Sequence, residues 1–309
     1  MTYVYSISAG PQKASDYFDQ EDTSDEHGDN PLWHYTDAAG LQGILSSGKI
    51  RATHVAHLND PTEIVHGEEL VSLFARNLKW PEEYVHGNAA LRKFADEWPT
   101  SRVSALTDAF VASFCADDGN RLSQWRGYGG AGLGYSIGFR RVSIAQKEPV
   151  RLFKVTYQTY QPGANVNKLD EAFRTILRVV ERDVSRGIPA DEAIAKSCHE
   201  MIRRASLAAL RLKHDGFKEE QEWRLIAAGD FENSPVSRPD FRPAARGLIP
   251  YVEVDLRDES GRLPLRKIFV GPAHNAQSSV KAVQGLLKSR GYPDADELVE
   301  ASGIPFRAT

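Results

Sequence analysis

A chain of 309 residues, 41% hydrophobic and 26% charged, can bury a sizeable core and has the composition of a packed globular protein, which excludes wholesale disorder, collagen and coiled coil. Its 38 basic residues against 42 acidic ones leave a formal charge of -4, so no global positive field holds nucleic acid by counterion release, although a local basic groove stays open. Two cysteines, Cys115 and Cys198, make neither a disulfide framework nor a paired-cysteine metal site; no apolar run nears the ~18 residues that span a bilayer, and no secretory leader is legible, so the expectation is a reduced, cytoplasmic protein with no membrane partner.

Residues 1–30 hold seven acids against Lys13, a charge of −6 that leaves the remainder at +2. Such a stretch repels itself and reads as an acidic flexible leader before one α+β domain over 31–309, with a partner-binding arm as the sharper alternative. Leu32–Thr36 reads as a short aromatic strand, Asp37 as the cap of a helix bearing Leu41, Ile44 and Leu45, and Gly48 as its stop. Ile50–His57 reads as a second strand. Asp60-Pro61-Thr62-Glu63 has the form of a capping box opening a helix with Ile64, Leu70, Val71, Leu73, Phe74 and Leu78. Val111–Cys115 and Tyr135–Phe139 read as strands around a Gly-rich aromatic turn, and Phe153–Tyr160 as another strand. Leu169, Phe173, Leu177 and Val180, then Ile194, Cys198, Met201, Ala205 and Ala209, mark two amphipathic helices, a hairpin insert at about 168–213. Glu222–Ala228, Leu248–Leu256 and Leu265–Val270 follow as strands, then a helix from about Gln277 to Arg290 stopped by Gly291. Strands before and after a helical insert indicate α+β rather than regular βαβ winding.

No phosphate loop, nucleophile elbow or metalloprotease signature is present, and Gly127-x-Gly129-Gly130 lacks the order of a dinucleotide fingerprint. His54 and His57, three apart in an expected strand, would face opposite ways, so no metal site is expected. Four clusters carry chemistry. His34 puts an imidazole on an otherwise buried-looking strand beside Tyr35 and Thr36, a satisfied structural histidine being the plainer reading. Asn59, Asp60 and Glu63 form a carboxylate group, or simply the helix cap. Trp125, Arg126 and Tyr128 in a glycine-rich segment could stack a flat heterocycle and neutralise phosphate, or merely cover the core. Glu220 and Glu222 share a face by period-two alternation where a strand begins, and Glu222 stands where burial favours apolar residues, the mark of a purposeful carboxylate.

The succession LWHYT, LQGIL with SGKIRAT, HLNDPTEIVHG, VASFC, SQWRGYG with GYSIGF, EEQEWRL, GLIPYVEVDL and KIFVGP, from Leu32 nearly to Phe306, resembles the bacterial domain-of-unknown-function family 2971. More distantly, a strand with His-Tyr-Thr, a short helix ending in Ser-Gly and a second strand are similar to the opening of ADP-ribosyltransferase-fold enzymes, toxins among them, which also set a Glu at the start of a later strand. That resemblance implies a split two-sheet core, antiparallel or mixed, with the helical hairpin as an insert. It implies that His34 holds NAD, that Glu222 is the catalytic glutamate, and that Tyr128 stacks on nicotinamide, with Trp125 or Tyr135 as alternatives. Ser113 is a partial stand-in for the family's Ser-Thr-Ser triplet. Tyr35 and Thr36 would flank NAD, and Arg126 and Arg51 would meet its pyrophosphate.

The residue types suit that chemistry, since cleaving the nicotinamide glycosidic bond develops positive charge on the ribose and a fixed carboxylate stabilises it. The expected function is NAD-dependent transfer of ADP-ribose to an unidentified protein or nucleic-acid acceptor, in a toxin or defence role, with NAD as substrate. Two rivals stand beside it: a metal-dependent phosphodiester hydrolase built from His34, Asp60, Glu63 and Glu222, and a non-catalytic module binding a nucleotide or single strand.

Overall fold

The computed structural model describes residues 30–58, 61–105, 109–128, 134–145, 150–159, 169–228, 236–244, 247–273 and 276–305. The acidic leader, Asn59, Asp60, Gly129 and Gly130 lie outside the described residues. The elements run β1 (Pro31–Thr36), α1 (Ala38–Ser47), β2 (Lys49–His54), α2 (Pro61–Asn77), α3 (Val85–Ala105), β3 (Ala109–Cys115), α4 (Leu122–Tyr128), β4 (Tyr135–Arg140), α5 (Arg141–Ala145), β5 (Val150–Lys154) and β6 (Thr156–Tyr157). They continue with α6 (Leu169–Ser185), α7 (Ala190–Ala209), β7 (Leu212–Lys213), β8 (Glu222–Ala228), β9 (Asp240–Ala244), β10 (Gly247–Asp255), β11 (Leu265–Val270), α8 (Ala276–Ser289), α9 (Ala295–Leu298) and β12 (Val299–Ala301).

The fold is mixed α+β. The large sheet runs β12-β11-β4-β1-β3-β2-β10-β9, with β8 added to β3 and β5 to β8; it is antiparallel except for the β11–β12 pair, and β6 and β7 form a small parallel pair of their own. Its branch point is β3. One edge of that strand pairs with β8 along its whole length, from Ala109↔Ala228 to Cys115↔Glu222. The other edge serves β1 at one end, through Trp33↔Cys115, and β2 at the other, through Thr53↔Val111 and His54↔Phe110. Between those contacts β1 and β2 part, and the edge of β3 around Ser113 opens.

Two apolar cores flank the sheet. One packs Leu32, Ile50, Phe114, Phe139, Leu225, Val252 and Ile268 with α1 and α8. The other is a helical block of α2, α3, α6 and α7 around Phe94, Trp98, Phe173, Leu177 and Met201. A smaller cluster, including Val55, Val111, Phe153, Leu210 and Ile226, joins the block to the sheet. The hairpin insert expected at 168–213 is therefore half of a four-helix layer. Its partner α3 was not foreseen.

Local chemistry explains the boundaries. Asp37 accepts the Gly40 amide at 2.7 Å to start α1, and Gly48, at φ 71°, ends it in the left-handed region that a Cβ disfavours. Three readings of elements are corrected. The strand expected over Phe153–Tyr160 breaks at Val155 into the end of β5 and the short β6, which belong to different sheets. Residues Val55–His57 form a 3₁₀ turn rather than the end of a strand, so the His54 and His57 rings meet, with centroids 5.8 Å apart, instead of facing opposite ways. The Gly-rich turn around Trp125 begins instead as the helix α4, because burying Gln124 and Trp125 on one face outweighs the breaking effect of a single Gly127. No helix among the described residues is long and apolar enough to cross a membrane.

Candidate active site

Ser113 stands at the open edge of β3 and is exposed in a strand otherwise buried. Its carbonyl lies 3.0 Å from His34 Nδ1, and its hydroxyl donates to Glu222 Oε1 at 2.7 Å. One residue thus ties the histidine of β1 to the glutamate of β8 across three adjacent strands. A carbonyl oxygen can only accept, so this bond requires the proton on Nδ1 and leaves Nε2 of the neutral ring as an acceptor. Burial holds the imidazole below its ordinary pKa, against the opposing pull of the Ser113 carbonyl, and the ring packs on Phe114 with centroids 5.7 Å apart.

Glu222 is buried at 4% exposure, and every lone pair of its carboxylate is engaged. Oε1 accepts from Ser113 and from Arg224 Nε at 2.8 Å; Oε2 accepts from Lys213 Nζ at 2.9 Å and from Arg224 Nη2 at 3.1 Å. Its amide donates to the Tyr157 hydroxyl at 2.7 Å. Burial alone would raise the carboxyl pKa; Arg224, Lys213 and Ser113 outweigh it and hold the group at about 2.

The cations are equally committed. Lys213 Nζ contacts Glu63 Oε1 at 2.8 Å and Glu220 Oε2 at 2.7 Å besides Glu222, and its side chain is 3% exposed. Arg224 also donates to Glu63 Oε2 and, through Nη1, to the Leu210 carbonyl just past α7 at 2.8 Å. For both cations burial works against the charge, and the carboxylates, Glu222 foremost, overcome it and raise the pKa. Three carboxylates and two cations give the cluster a formal charge of −1. Glu220 is the member pushed up, by burial that exceeds the effect of Lys213. Beside the cluster, a cleft of about 330 Å³ opens between α2 and the 3₁₀ turn Asp215–Glu220, lined by Glu63, His66, Lys213, His214 and Phe217 among others.

Residues 124–225 match a family model, Protein of unknown function (DUF2971). No curated protein and no solved structure matches the chain. The DUF2971 stretch contains Tyr128, Lys213, Glu220, Glu222 and Arg224; His34, Glu63 and Ser113 lie before it in sequence and join it in space.

The other expected residues divide into two groups. Glu63 and Glu220 belong to the charge cluster and Tyr128 lies beside it; the Tyr128 ring, 40% exposed on α4, has its pKa raised by burial and then by Glu220. Glu220 does reach the cation that holds Glu222, but not by strand alternation: it ends the 3₁₀ turn, and Gln221, at φ 45°, swings the chain into β8. Arg126 is exposed on α4. Arg51 shares a face of the sheet with Ser113 by alternation from the Thr53↔Val111 pair, and its guanidinium lies 3.4 Å from Glu253 and over the Tyr251 ring.

The second group serves the core. Tyr35 accepts the Arg121 amide at 3.2 Å and meets Trp125 edge-on with centroids 4.9 Å apart. Trp125 is 4% exposed and donates from Nε1 to Asn120 at 3.1 Å, and Tyr135 is buried in the sheet core, which leaves Tyr128 as the exposed aromatic of the three. Thr36, at the end of β1, occupies the space over Gly40, where a Cβ would sit 1.9 Å from its Oγ1. Among the described residues no group of three His, Cys, Asp or Glu is disposed around a metal site, and Glu63 and Glu222 spend their oxygens on Lys213 and Arg224.

Lys213, Arg224 and Tyr157 are the residues that sequence reasoning missed. Arg224 was within reach, since alternation puts it on the face of Glu222. Lys213 and Tyr157 carry no such signal.

Proposed function

We propose that this protein is an NAD-dependent ADP-ribosyltransferase acting on a protein or nucleic-acid acceptor. The observation that carries the reading is the bridge through Ser113 on β3, between the stretches of that strand paired with β1 and with β2, which joins an acceptor imidazole to a buried, ionised carboxylate. The residues suit NAD. His34 Nε2 is available to accept from a ribose hydroxyl or the nicotinamide amide, Tyr128 offers an exposed ring face, and Arg126 and Arg51 offer guanidinium groups for the pyrophosphate.

Glu222, with a pKa of about 2, is a fixed negative charge rather than a proton acceptor at neutral pH. It opposes the positive charge that develops on the ribose as the glycosidic bond breaks and nicotinamide departs with the bonding pair. Of the donors that fill its lone pairs, the exposed Ser113 hydroxyl is the one a ribose hydroxyl can replace; Lys213 and Arg224 are sealed in. Glu220, its pKa raised, is better matched than Glu222 to taking the proton of the acceptor nucleophile.

The test is incubation of the purified protein with NAD while free nicotinamide is followed, with E222Q alongside. Native protein releases nicotinamide, and E222Q loses ~10²- to 10³-fold in rate, the usual consequence of removing a preorganised electrostatic group. Equal release by both would remove Glu222 from its role. Tight NAD binding without turnover would favour the binding module, and nucleic-acid cleavage sensitive to EDTA would favour the hydrolase.

A further inference from the structure

The small two-stranded sheet lies against the start of β8. β6 and β7 pair in parallel, Thr156 with Leu212 and Tyr157 with Lys213, and the Gln158 amide donates to the Lys213 carbonyl at 2.9 Å. The two paired residues grip one glutamate from both ends. Tyr157 accepts the Glu222 amide at 2.7 Å, while Lys213 donates to the Glu222 carboxylate at 2.9 Å. A second hold comes from β5–β6, where the Val155 amide donates to the Glu222 carbonyl at 2.9 Å.

Lys213 is suited to this place in a way arginine is not. An ammonium has three donors around one centre, and three carboxylates meet it at 2.7 to 2.9 Å, one each from α2, the 3₁₀ turn and β8. The ring of Phe217 lies 5.0 Å from Nζ on a further side. Because Glu63 belongs to the helical block and Glu222 to the sheet, the lysine also fixes the distance between them.

We propose that Lys213 is a positioning residue of this site: with Tyr157 it forms a bracket that sets the carboxylate of Glu222 relative to Ser113 and His34. The proposal rests on the transferase reading for its kinetic consequence but not for its geometry. Lys213 touches no reacting atom, so its loss affects the transition state through the displacement of Glu222 and leaves NAD binding largely alone.

The experiment compares native protein with K213M, which keeps an unbranched apolar stem of nearly the same length without the ammonium, and with Y157F, which removes only the other half of the bracket. Nicotinamide release gives kcat and KM, and carbon NMR of ¹³C-glutamate-labelled protein, with E222Q to assign the resonance, follows the titration of Glu222. The groups facing that carboxylate are Glu63 from α2, Tyr157 from β6, Lys213 from β7, Glu220 from the turn, Arg224 from β8, Ser113 and Cys115 from β3, and Tyr128 from α4. K213M should lower kcat by ~10²-fold with KM for NAD held within about threefold, and Y157F by roughly tenfold. In K213M the Glu222 titration should move to higher pH. A raised KM with native kcat, or an unmoved titration, overturns the proposal. If native protein releases no nicotinamide, the transferase reading falls, and the titration alone decides the bracket. Should K213M not fold, K213Q, which retains a donor, takes its place under the same criteria.

Discussion

Glu222 is ionised in a place where burial opposes ionisation, and that opposition has a consequence for stability as well as chemistry. Its carboxyl titrates near 2 in the folded protein against an ordinary 4.5. Between those values the unfolded chain binds more protons than the folded one, so stability rises with pH across the window. The contribution is complete above about pH 4.5 and is lost as pH falls through 2. Thermal melts from pH 7 down to 2 should therefore show a steeper acid limb for native protein than for E222Q. The other carboxylates held low, among them Glu97 and Glu200, act alike in both proteins and cancel in the comparison. Parallel limbs would mean that Glu222 does not carry the depressed pKa. His34 works in the same direction at higher pH: its lowered pKa means the unfolded chain takes up a proton first as pH drops below about 6.5, and H34Q should flatten that upper part of the curve.

At the scale of the element, α4 shows how one short helix can mix structure and function. Trp125 faces inward against Tyr35, Cys115 and Trp33, whereas Tyr128, one turn later, faces out toward the carboxylate cluster. Truncating a buried tryptophan removes packing and leaves a cavity, so W125A should cost ~3 to 5 kcal/mol, read as a large fall in Tm. Y128A, at an exposed position, should shift stability by less than about 0.5 kcal/mol while raising KM for NAD in the nicotinamide assay. A destabilised Y128A with native KM would count against its stacking role. The same helix marks the boundary of what was legible. Strong periodicity announced α6 and α7, and an apolar run announced β8, because in those segments the buried face is wide and continuous. Over 85–99 of α3, the part whose burial is described, the fully buried hydrophobic side chains are Ala90, Phe94 and Trp98, a single stripe in a segment that also contains Gly87 and Pro99. β9 is largely exposed and contains Pro243, and β12 is three residues paired in parallel with β11, with only Val299 buried. A short strand with so little buried apolar surface leaves no periodic trace, even where, as with β9 and β10, its partner follows directly in sequence.

For the whole molecule, the cluster is where the helical block and the sheet meet, and this explains which of its members the sequence disclosed. His34 and Glu222 stand out because a titratable side chain interrupts an apolar strand pattern, Glu63 because it completes a capping box, and Glu220 because alternation sets it on the face of Glu222. Lys213 looks like an ordinary surface lysine beside His214 until β7 carries it under the block, and the contact from Arg224 to Glu63 spans 161 residues. The arrangement makes a quantitative demand. Native protein balances three carboxylates with two cations, for −1; R224M leaves −2 in a buried place and should cost ~3 to 5 kcal/mol in urea unfolding at pH 7. E222Q in the R224M background returns the formal charge to −1 and relieves the stranded carboxylate, so the double variant should be more stable than the sum of the single losses predicts. A coupling of at least ~1 kcal/mol is expected from the cycle, since the two side chains share two hydrogen bonds, at 2.8 and 3.1 Å. Additivity within about 0.5 kcal/mol would mean that Arg224 and Glu222 do not stabilise one another, and the charge network that joins the helical block to the sheet would then have to be abandoned.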